Sequence, residues 1–380
     1  MSSSGSVATS GQTQSSSAWA PFRYRAFALL WTATLISNVG TWMHDVGAGW
    51  LMTTLNSSPA VVSLVQASTT LPVFLFALYA GTLADRLDKR KMLITVNVVL
   101  LVLIAVLTLL VHLDLVTPVL LILFTLAIGT GTAFMAPAWQ SIVPALVPRE
   151  ALQPAIALNS MGINISRAIG PALAGVLIAS VSLSAPFAVN AASHIVIIAA
   201  LLLWKYEGGS TKTSQPVFNA MLTGLRHVGH NRALKHTLVR SFAFFIFASA
   251  YWALLPLVVR GIDGGGARLY GMLLTLIGSG AVLGALTLPK FRAKLDASAM
   301  AASGTVGTAA AMAVLATAST PWLAYIAALL GGFSWIAVLT TFNVSAQTAL
   351  PNWVRARGLA VNLMVFFGSM AFGSALWGQV

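Results

Sequence analysis

The sequence predicts an all-α membrane protein built from two homologous halves. Of its 380 residues, 58% are hydrophobic and only 8% are charged, a composition far outside the range of soluble domains. Eleven apolar segments are each long enough to cross a bilayer, which takes about 20 residues at roughly 1.5 Å per residue. The second half of the chain also repeats the first at a fixed offset of 203 residues. These observations predict paired bundles of membrane-spanning helices.

The predicted spans follow one another with mostly short connections. Glycine and proline inside them do not argue against helix, because neighbouring helices can satisfy the freed backbone groups. In chain order the spans are residues 27–52, 60–84, 92–112, 117–140, 152–180, 183–204, 233–259, 269–289, 297–318, 321–346 and 356–379.

The repeat is clearest where residues 148–175 align with 351–378. Ten pairs are identical there, among them Asn159 with Asn362 and Gly170 with Gly373. Many secondary transporters consist of duplicated halves that rock about a central site, whereas a pore or a receptor has no such need. The repeat therefore favours transport. By the same offset a copy of the sixth helix is missing, and we favour a natural chain that continues past Val380 over a protein without a twelfth helix.

The basic residues indicate an orientation. The chain contains 21 Lys and Arg but only 8 Asp and Glu, for a net charge of +13. With the N-terminus inside, every cation except Arg167, Arg260 and Arg268 lies on the inner side. Short loops with this bias follow the positive-inside rule, which predicts a cytoplasmic N-terminus. The charge thus indicates contact with anionic lipid headgroups and not with a nucleic acid.

These patterns divide the chain into four parts. Residues 1–20 are rich in Ser, Thr and Gly and are predicted to be a disordered cytoplasmic tail, not a cleaved signal. Residues 21–204 are predicted to form an N-terminal six-helix bundle, 205–231 a cytoplasmic central loop, and 232–380 a C-terminal bundle of helices seven to eleven. The chain has no cysteine, which excludes disulfides and thiolate metal sites. We expect a monomer without a cofactor or a metal.

A charged loop follows the second span. Its glycine, acids and cations are Gly81, Asp85, Arg86, Asp88, Lys89, Arg90 and Lys91. Glycine lets a helix approach a neighbour closely, an acid can cap or pair at a helix end, and the cations hold the loop at the cytoplasmic face. The alternative is a plain basic loop that reports topology alone.

This loop resembles the GxLADRxGRK signature of the major facilitator superfamily, with Asp88 where a glycine is usual. The fifth span contains Gly162, Gly170, Pro171 and Gly175, and it is similar to the GP-centred antiporter motif of exporters in that superfamily. Small residues permit tight packing and Pro171 frees a carbonyl, so this helix can bend against its partner bundle. Ordinary small-residue packing is the alternative interpretation.

The run from Phe134 to Glu150, followed by Asn159, resembles the branch of enterobactin exporters and macrolide efflux pumps, the transmembrane secretion effectors. The resemblance extends from residue 22 to 380. It implies a major facilitator fold in a bacterial inner membrane: two six-helix bundles related by pseudo-twofold symmetry, with the twelfth helix absent from this chain. The superfamily's fourth-helix Arg would fall at Thr125, so a proton relay through that Arg is not available.

One acid and one base lie deep within the predicted spans. Seven of the eight acids fall in loops or at helix ends, whereas Asp45 lies inside the first span and Arg167 well inside the fifth. A charge in hydrocarbon costs about 2.5–3.5 kcal/mol on insertion scales, so such groups usually pair and usually have a function. The first and fifth helices adjoin in the major facilitator arrangement, so we expect Asp45 and Arg167 to pair, directly or through one water.

The pair suggests how protons drive transport. We expect Arg167 to keep Asp45 ionised until an outward-open state admits a proton, which releases the pair and favours closing. A purely structural ion pair is the alternative. The offset places Ala248 and Met370 at the corresponding positions of the second half, and this asymmetry fits a function slightly better than an architectural role.

Other candidates for the substrate site or the gates are weaker. His44 adjoins Asp45 and either shares its proton or simply packs, and Arg240 lies at a shallower depth in the seventh span. Asn159 and Asn362 are repeat mates for which hydrogen bonding at a helix end fits better than gating, and His194 receives no role. Seven aromatic residues can line a cavity, although most fit better as core or interface residues: Trp42, Trp50, Tyr251, Trp252, Trp335, Phe366 and Phe367.

The sequence therefore predicts a secondary active exporter, a proton antiporter for a small amphipathic compound such as a drug, a macrolide or a siderophore. The alternative is a proton-coupled symporter or a facilitator that imports a small metabolite, against which the GP motif argues. An intramembrane enzyme is a distant alternative, because it needs a nucleophile–base set or metal ligands at membrane depth. No phosphate-binding loop for direct use of ATP appears.

Overall fold

The computed structural model describes residues 17–205, 231–292, 294–351 and 355–380. The described part is all-α, as predicted, with eleven long helices and no strand. The helices are α1 (Arg25–Leu55), α2 (Pro59–Arg86), α3 (Lys89–His112), α4 (Pro118–Ile142), α5 (Arg149–Ser180), α6 (Ala185–Leu203), α7 (Arg232–Gly261), α8 (Ala267–Arg292), α9 (Ala297–Thr317), α10 (Pro321–Thr348) and α11 (Arg355–Trp377). Two short 3-10 helices cover Ala20–Arg23 and Val143–Ala145.

Each of the eleven helices is long and apolar enough to cross a membrane. Their first residues carry the expected start signals. Proline occupies the first turn of α2 and α4, where its missing N–H has no partner to lose. Asp296 caps α9 by accepting a hydrogen bond from the Ala299 amide at 2.6 Å. Local chemistry of this kind fixes the helix starts within a few residues of the predicted spans.

Short connections make successive helices run in opposite directions and define two faces of the molecule. We call the face at which α1 begins the near face, and the face at which α1 ends the far face. Contacts between the ends of different helices agree with this assignment. Asn231 at the start of α7 hydrogen-bonds the Ala349 carbonyl just after α10 on the near face, at 2.7 Å.

The helices pack as two bundles. In the first bundle, α1 packs on α5 and α6, α3 packs on α4 and α6, and α2 packs on α4. In the second, α10 packs on α8 and α9, and α7 packs on α11. Two helix pairs form the most extensive contacts between the bundles, α2 with α11 and α5 with α8. The offset of 203 residues converts one of these pairs into the other, so the bundle interface has the pseudo-twofold symmetry that the sequence repeat predicts.

The predicted tail and central loop fall mostly outside the described residues. Where the tail was expected to end, the 3-10 helix begins at Ala20. Phe22 in that helix packs edge-to-face on Trp31 of α1, with ring centroids 5.0 Å apart. This contact anchors the 3-10 helix to the near-face end of the first bundle.

Candidate functional site

A central cavity of about 410 Å³ lies between the two bundles. The first bundle lines it with α1, α2 and α5, and the second with α7, α8, α10 and α11. It extends to Asn343 and Leu363, which are within about two turns of the near-face ends of α10 and α11. The cavity is large enough for a small organic molecule.

The first bundle supplies the charged and most of the polar lining. Asp45 projects from α1, Gln66 from α2 and Arg167 from α5. On the opposite wall, the polar members are the Tyr270 hydroxyl and the Asn343 amide. The chemistry of the cavity is therefore asymmetric although the backbone fold is symmetric.

Asp45 and Arg167 face the same cavity, but no direct ion pair joins them in the described part of the chain. The Arg167 guanidinium instead lies over the Trp42 ring, with its central carbon 5.3 Å from the ring centroid. Its Nε is buried without a hydrogen-bond partner. The expected direct pair is thus not formed in this structure, because Arg167 is held against Trp42 by a cation–π contact. Pairing through one water stays a prediction.

The second bundle supplies an aromatic wall. Trp252 packs on Trp335 with ring centroids 5.4 Å apart, Trp335 packs on Phe366 at 6.4 Å, and Phe366 packs on Phe367 at 4.9 Å. All four of these residues line the cavity, as does Trp42. Trp335 also belongs to the buried core of the second bundle, with Trp252 and Phe366 packed against it, so these three have both the preferred core role and a cavity role. Trp50 and Tyr251 are buried, as that preference expected.

The repeat does not copy this chemistry. Met370 occupies the position that corresponds to Arg167, and it also lines the cavity. Ala248, which corresponds to Asp45, is buried in the second bundle. The repeat-related helices α1 and α7, α2 and α8, and α5 and α11 all line the cavity, joined by α10, but the two halves present different side chains.

Four residues close the far face, and we call them the far-face gate: Trp50, Thr53, Arg260 and Tyr270. Arg260 Nε donates a hydrogen bond to Thr53 Oγ1 at 2.7 Å, and its guanidinium carbon lies 4.8 Å from the Trp50 ring centroid. Trp50 stacks on Tyr270 at 6.0 Å. One feature of the sequence pointed to this gate, because Arg260 is one of only two cations on the predicted outer side.

The near face shows no comparable closure among the described residues. Between described residues of the two bundles, no side-chain hydrogen bond or aromatic contact is formed at this face. Gly81 was expected to let α2 approach a neighbour closely, but a Cβ at this position would meet nothing within 4 Å. That expectation is wrong for this state, because the near-face ends of the bundles are apart.

The remaining loop residues hold the near-face end of the first bundle together. Asp88 caps α3 by accepting a hydrogen bond from the Lys91 amide at 3.0 Å. Arg90 donates to the carbonyls of Leu201 and Leu202 at the end of α6, at 2.7 and 2.8 Å. Lys89 donates a hydrogen bond to the Ser141 carbonyl at 3.4 Å. Arg86 is the last residue of α2, and the side chain of Asp85 lies outside the described residues.

The glycines of α5 pack against two helices. A Cβ at Gly170 would lie 2.6 Å from Trp42 Cβ on α1, and Gly162 faces the Trp31 ring. On the other side, Gly175 packs against the backbone of Ala267 and Gly271 on α8, and the Pro171 carbonyl lies against Gly271. The helix therefore fits tightly both within its own bundle and across the bundle interface.

The weaker candidates lie in the helix packing. Asn159 accepts a hydrogen bond from Trp139 Nε1 at 3.2 Å, and the exposed Arg240 donates to Ser298 Oγ at 3.1 Å. His44 is buried against Phe187, and neither ring nitrogen has a partner. Asn362 is closest to the cavity, because its amide donates at 3.0 Å to Asn343, a lining residue.

Comparison with known proteins settles the family. The sequence matches the transmembrane secretion effector family, a branch of the major facilitator superfamily, over residues 16–380. The chain belongs to this family. Its eleven described helices that can cross a membrane agree with the multi-pass membrane protein that the apolar spans predict.

The relatives in this family are named as exporters and transporters. The staphyloferrin A transporter of Staphylococcus aureus is 24% identical over 66% of this chain and 64% of its own length. The macrolide efflux protein A of Streptococcus pyogenes is 25% identical over 70% of this chain and 66% of its own. The multidrug efflux pump Tap of Mycolicibacterium fortuitum is 23% identical over 93% and 87%. The chain thus spans about two thirds of the length of each of the first two relatives.

Solved structures confirm the fold. A variant of the nucleoside transporter NupG superposes with a TM-score of 0.79 at 13% identity, covering 93% of this chain and 91% of that one. A bacterial homologue of the lysosomal transporter Spinster, in an inward-facing and unoccupied conformation, gives 0.69 at 16% identity and covers 93% and 81%. At these identities the likeness shows the major facilitator fold alone.

Proposed function

We propose that this transporter exports a small amphipathic compound in exchange for protons by alternating access. One observation carries the proposal: Asp45, a carboxylate with no hydrogen-bond or ion-pair partner among the described residues, lines a cavity between the two pseudo-symmetric bundles that is closed at the far face. Drugs, macrolides and siderophores, the cargo named for its relatives, are compounds of this class.

The near face is the cytoplasmic side in this proposal. The cations of the loop between α2 and α3 and those at the starts of α1, α5 and α7 all lie there. Short loops rich in Lys and Arg remain in the cytoplasm. The cavity then loads from the cytoplasm, and the far-face gate separates it from the outside.

Rocking of the bundles provides the switch. The close backbone contacts of α5 with α8, at Pro171, Gly175 and Gly271, leave a smooth surface on which the bundles can rotate. Opening the outer side requires the far-face gate to separate and the near-face ends of α2 and α11 to approach. The two states differ by whole sets of contacts, so each substrate or proton can favour one of them.

Asp45 couples this switch to protons. An ionised carboxylate in a closed cavity is unfavourable unless a cation or a polar group compensates it. When the outer side is open, a proton from outside neutralises Asp45. The protonated, substrate-free transporter then closes its outer side. On the cytoplasmic side the proton leaves and the substrate binds. The loaded transporter then opens outward and releases the substrate, and the next proton on Asp45 begins another exchange.

Transport in proteoliposomes tests the proposal. A pump-deficient strain that expresses the transporter first identifies a compound that it exports. Purified protein in vesicles should then move this compound against its gradient when a proton gradient of opposite direction is imposed. Asp45→Asn should abolish this uphill transport.

Asp114→Asn is the matched control for that variant. Asp114 is an exposed acid at the far face with a positive φ of 55°, which asparagine tolerates, so its removal should leave transport intact. Undiminished proton-driven export by Asp45→Asn would remove Asp45 from the coupling role. Proton-driven movement in the same direction as the protons would identify a symporter instead.

A further inference from the structure

We propose that the cavity binds an amphipathic compound that carries an ammonium group, with Asp45 as its counter-ion and the aromatic wall as the surface for its apolar body. This inference rests on the proposed antiport and adds the charge of the substrate, which distinguishes between basic drugs and acidic chelators.

The first argument is the state of the two charges in the cavity. Asp45 makes no hydrogen bond or ion pair with any described residue, although it lines the cavity together with Arg167. Arg167 already has a partner, the Trp42 ring at 5.3 Å. Because a carboxylate away from bulk water requires a cation, a ligand ammonium supplies the counter-ion of Asp45 that no described residue provides.

The second argument is the nature of the opposite wall. Aromatic rings carry negative charge on their faces and attract cations within about 6 Å, most strongly when water is excluded. Trp252, Trp335, Phe366 and Phe367 form a continuous set of ring contacts along this wall. No Lys or Arg of the second bundle lines the cavity in the described residues. A bulky, apolar cation therefore fits between Asp45 and this wall.

The third argument is the direction of coupling. In an exchanger the substrate and the proton must exclude each other. An ammonium group binds best to the ionised carboxylate, so it competes with the proton for Asp45. An anion would bind best to Arg167 when Asp45 is protonated, and both would then travel in the same direction. A single cavity carboxylate thus gives antiport for a cation.

The other titratable or charged groups near Asp45 do not alter this exclusion. Arg167 on α5 remains over Trp42, and the Tyr270 hydroxyl on α8 lies against Gly49, one turn along from Asp45. His44 and His194 are buried inside the first bundle and do not line the cavity. Among the described lining residues, only Asp45 offers the cavity a negative charge.

Two ions of the same shape and opposite charge test the inference. Equilibrium dialysis of the purified transporter measures binding of tetraphenylphosphonium and of tetraphenylborate, after subtraction of binding to protein-free micelles. We expect the phosphonium to bind at least about tenfold more tightly, equivalent to about 1.4 kcal/mol. Asp45→Asn should remove this preference, whereas the control Asp114→Asn should retain it.

Proton release provides a second readout. In weakly buffered solution, binding of the phosphonium should release protons from the wild type and from Asp114→Asn, but not from Asp45→Asn. Tighter binding of the borate, lost in Arg167→Gln, would overturn the inference, and so would binding of neither ion. These assays use no gradient. If the phosphonium is not preferred, the exchange experiment still tests the proposed antiport by itself. If exchange fails while phosphonium binding is intact, only the proposed antiport is refuted.

Discussion

Arg260 at the end of α7 and Thr53 at the end of α1 form a hydrogen bond of 2.7 Å between the two bundles. These residues are 207 positions apart in the chain. The same guanidinium lies over Trp50, which in turn stacks on Tyr270. Arg260 and Trp50 together thus join the ends of α7, α1 and α8 at the far face, and separation of the bundles on this side must break their contacts.

Loss of Arg260 should open the far face more often. Arg260→Gln removes a cation–π contact and weakens the charged hydrogen bond, about 1 to 2 kcal/mol together, which corresponds to a roughly five- to thirty-fold shift between states. Because the chain has no cysteine, a single Gln66→Cys in the cavity reports access. Labelling by an impermeant maleimide from the far side should accelerate by this factor. Arg268→Gln, which removes the other far-face cation, should not accelerate it, and equal rates in both variants would contradict the gate.

A side chain at Gly271 should disrupt the sliding surface between α5 and α8. A Cβ there would meet the Pro171 carbonyl and the Gly175 backbone, which cannot move aside as a flexible side chain can. Gly271→Ala should lower stability by about 1–3 kcal/mol, measured as a lower melting temperature in detergent, and should slow transport. Gly261→Ala, where a Cβ meets nothing within 4 Å, is the control. An unchanged melting temperature in Gly271→Ala would show that the interface is looser than described.

Gly81 should matter only for the state in which the near face is closed. Gly81→Leu has open space in this structure, so folding and melting temperature should be preserved. The larger side chain should obstruct the approach of α2 to α11, and far-side labelling of Gln66→Cys should slow. Its repeat mate Gly284 faces Ile336 and the Phe333 carbonyl within the second bundle, so Gly284→Leu should instead destabilise the fold. Normal labelling and transport in Gly81→Leu would refute the assignment.

His44 should be dispensable for coupling. Both ring nitrogens are buried without a partner, and such groups cost about 1–3 kcal/mol each. His44→Leu should therefore raise the melting temperature and retain proton-driven transport. His194→Leu is the contrasting variant, because His194 donates from Nδ1 to Asn97 Oδ1 at 2.9 Å and its loss leaves that oxygen unpaired. Loss of proton coupling in a folded His44→Leu protein would place His44 in the proton path.

The sequence predicted the helices and their pairing because both depend on patterns within one segment or between two copies of it. Apolar length identified α1 to α11, and the copy of 148–175 at 351–378 predicted the symmetry that relates the two interbundle contacts. Asp45 and Arg167 stood out because charge is rare in hydrocarbon. Each of these signals is local or repeats at a fixed spacing.

The remaining features depend on three-dimensional contacts that no local pattern shows. The far-face gate joins residues from both halves, and Trp252 or Phe366 can be core or cavity residues with the same sequence signal. The cation–π contact of Arg167 with Trp42 replaces its expected direct pair with Asp45, and this contact exists only because α1 packs on α5. Gly81 was predicted to be a packing residue, because a motif does not show in which conformational state its residues make their contacts.

Proton movement driven by substrate tests the central claim most directly. Vesicles that contain the purified transporter and a pH indicator are given an outward substrate gradient without a proton gradient. The wild type and Asp114→Asn should carry protons in the direction opposite to the substrate, and Asp45→Asn should carry none. Equal proton movement with Asp45→Asn, or movement of protons along with the substrate, would contradict the account.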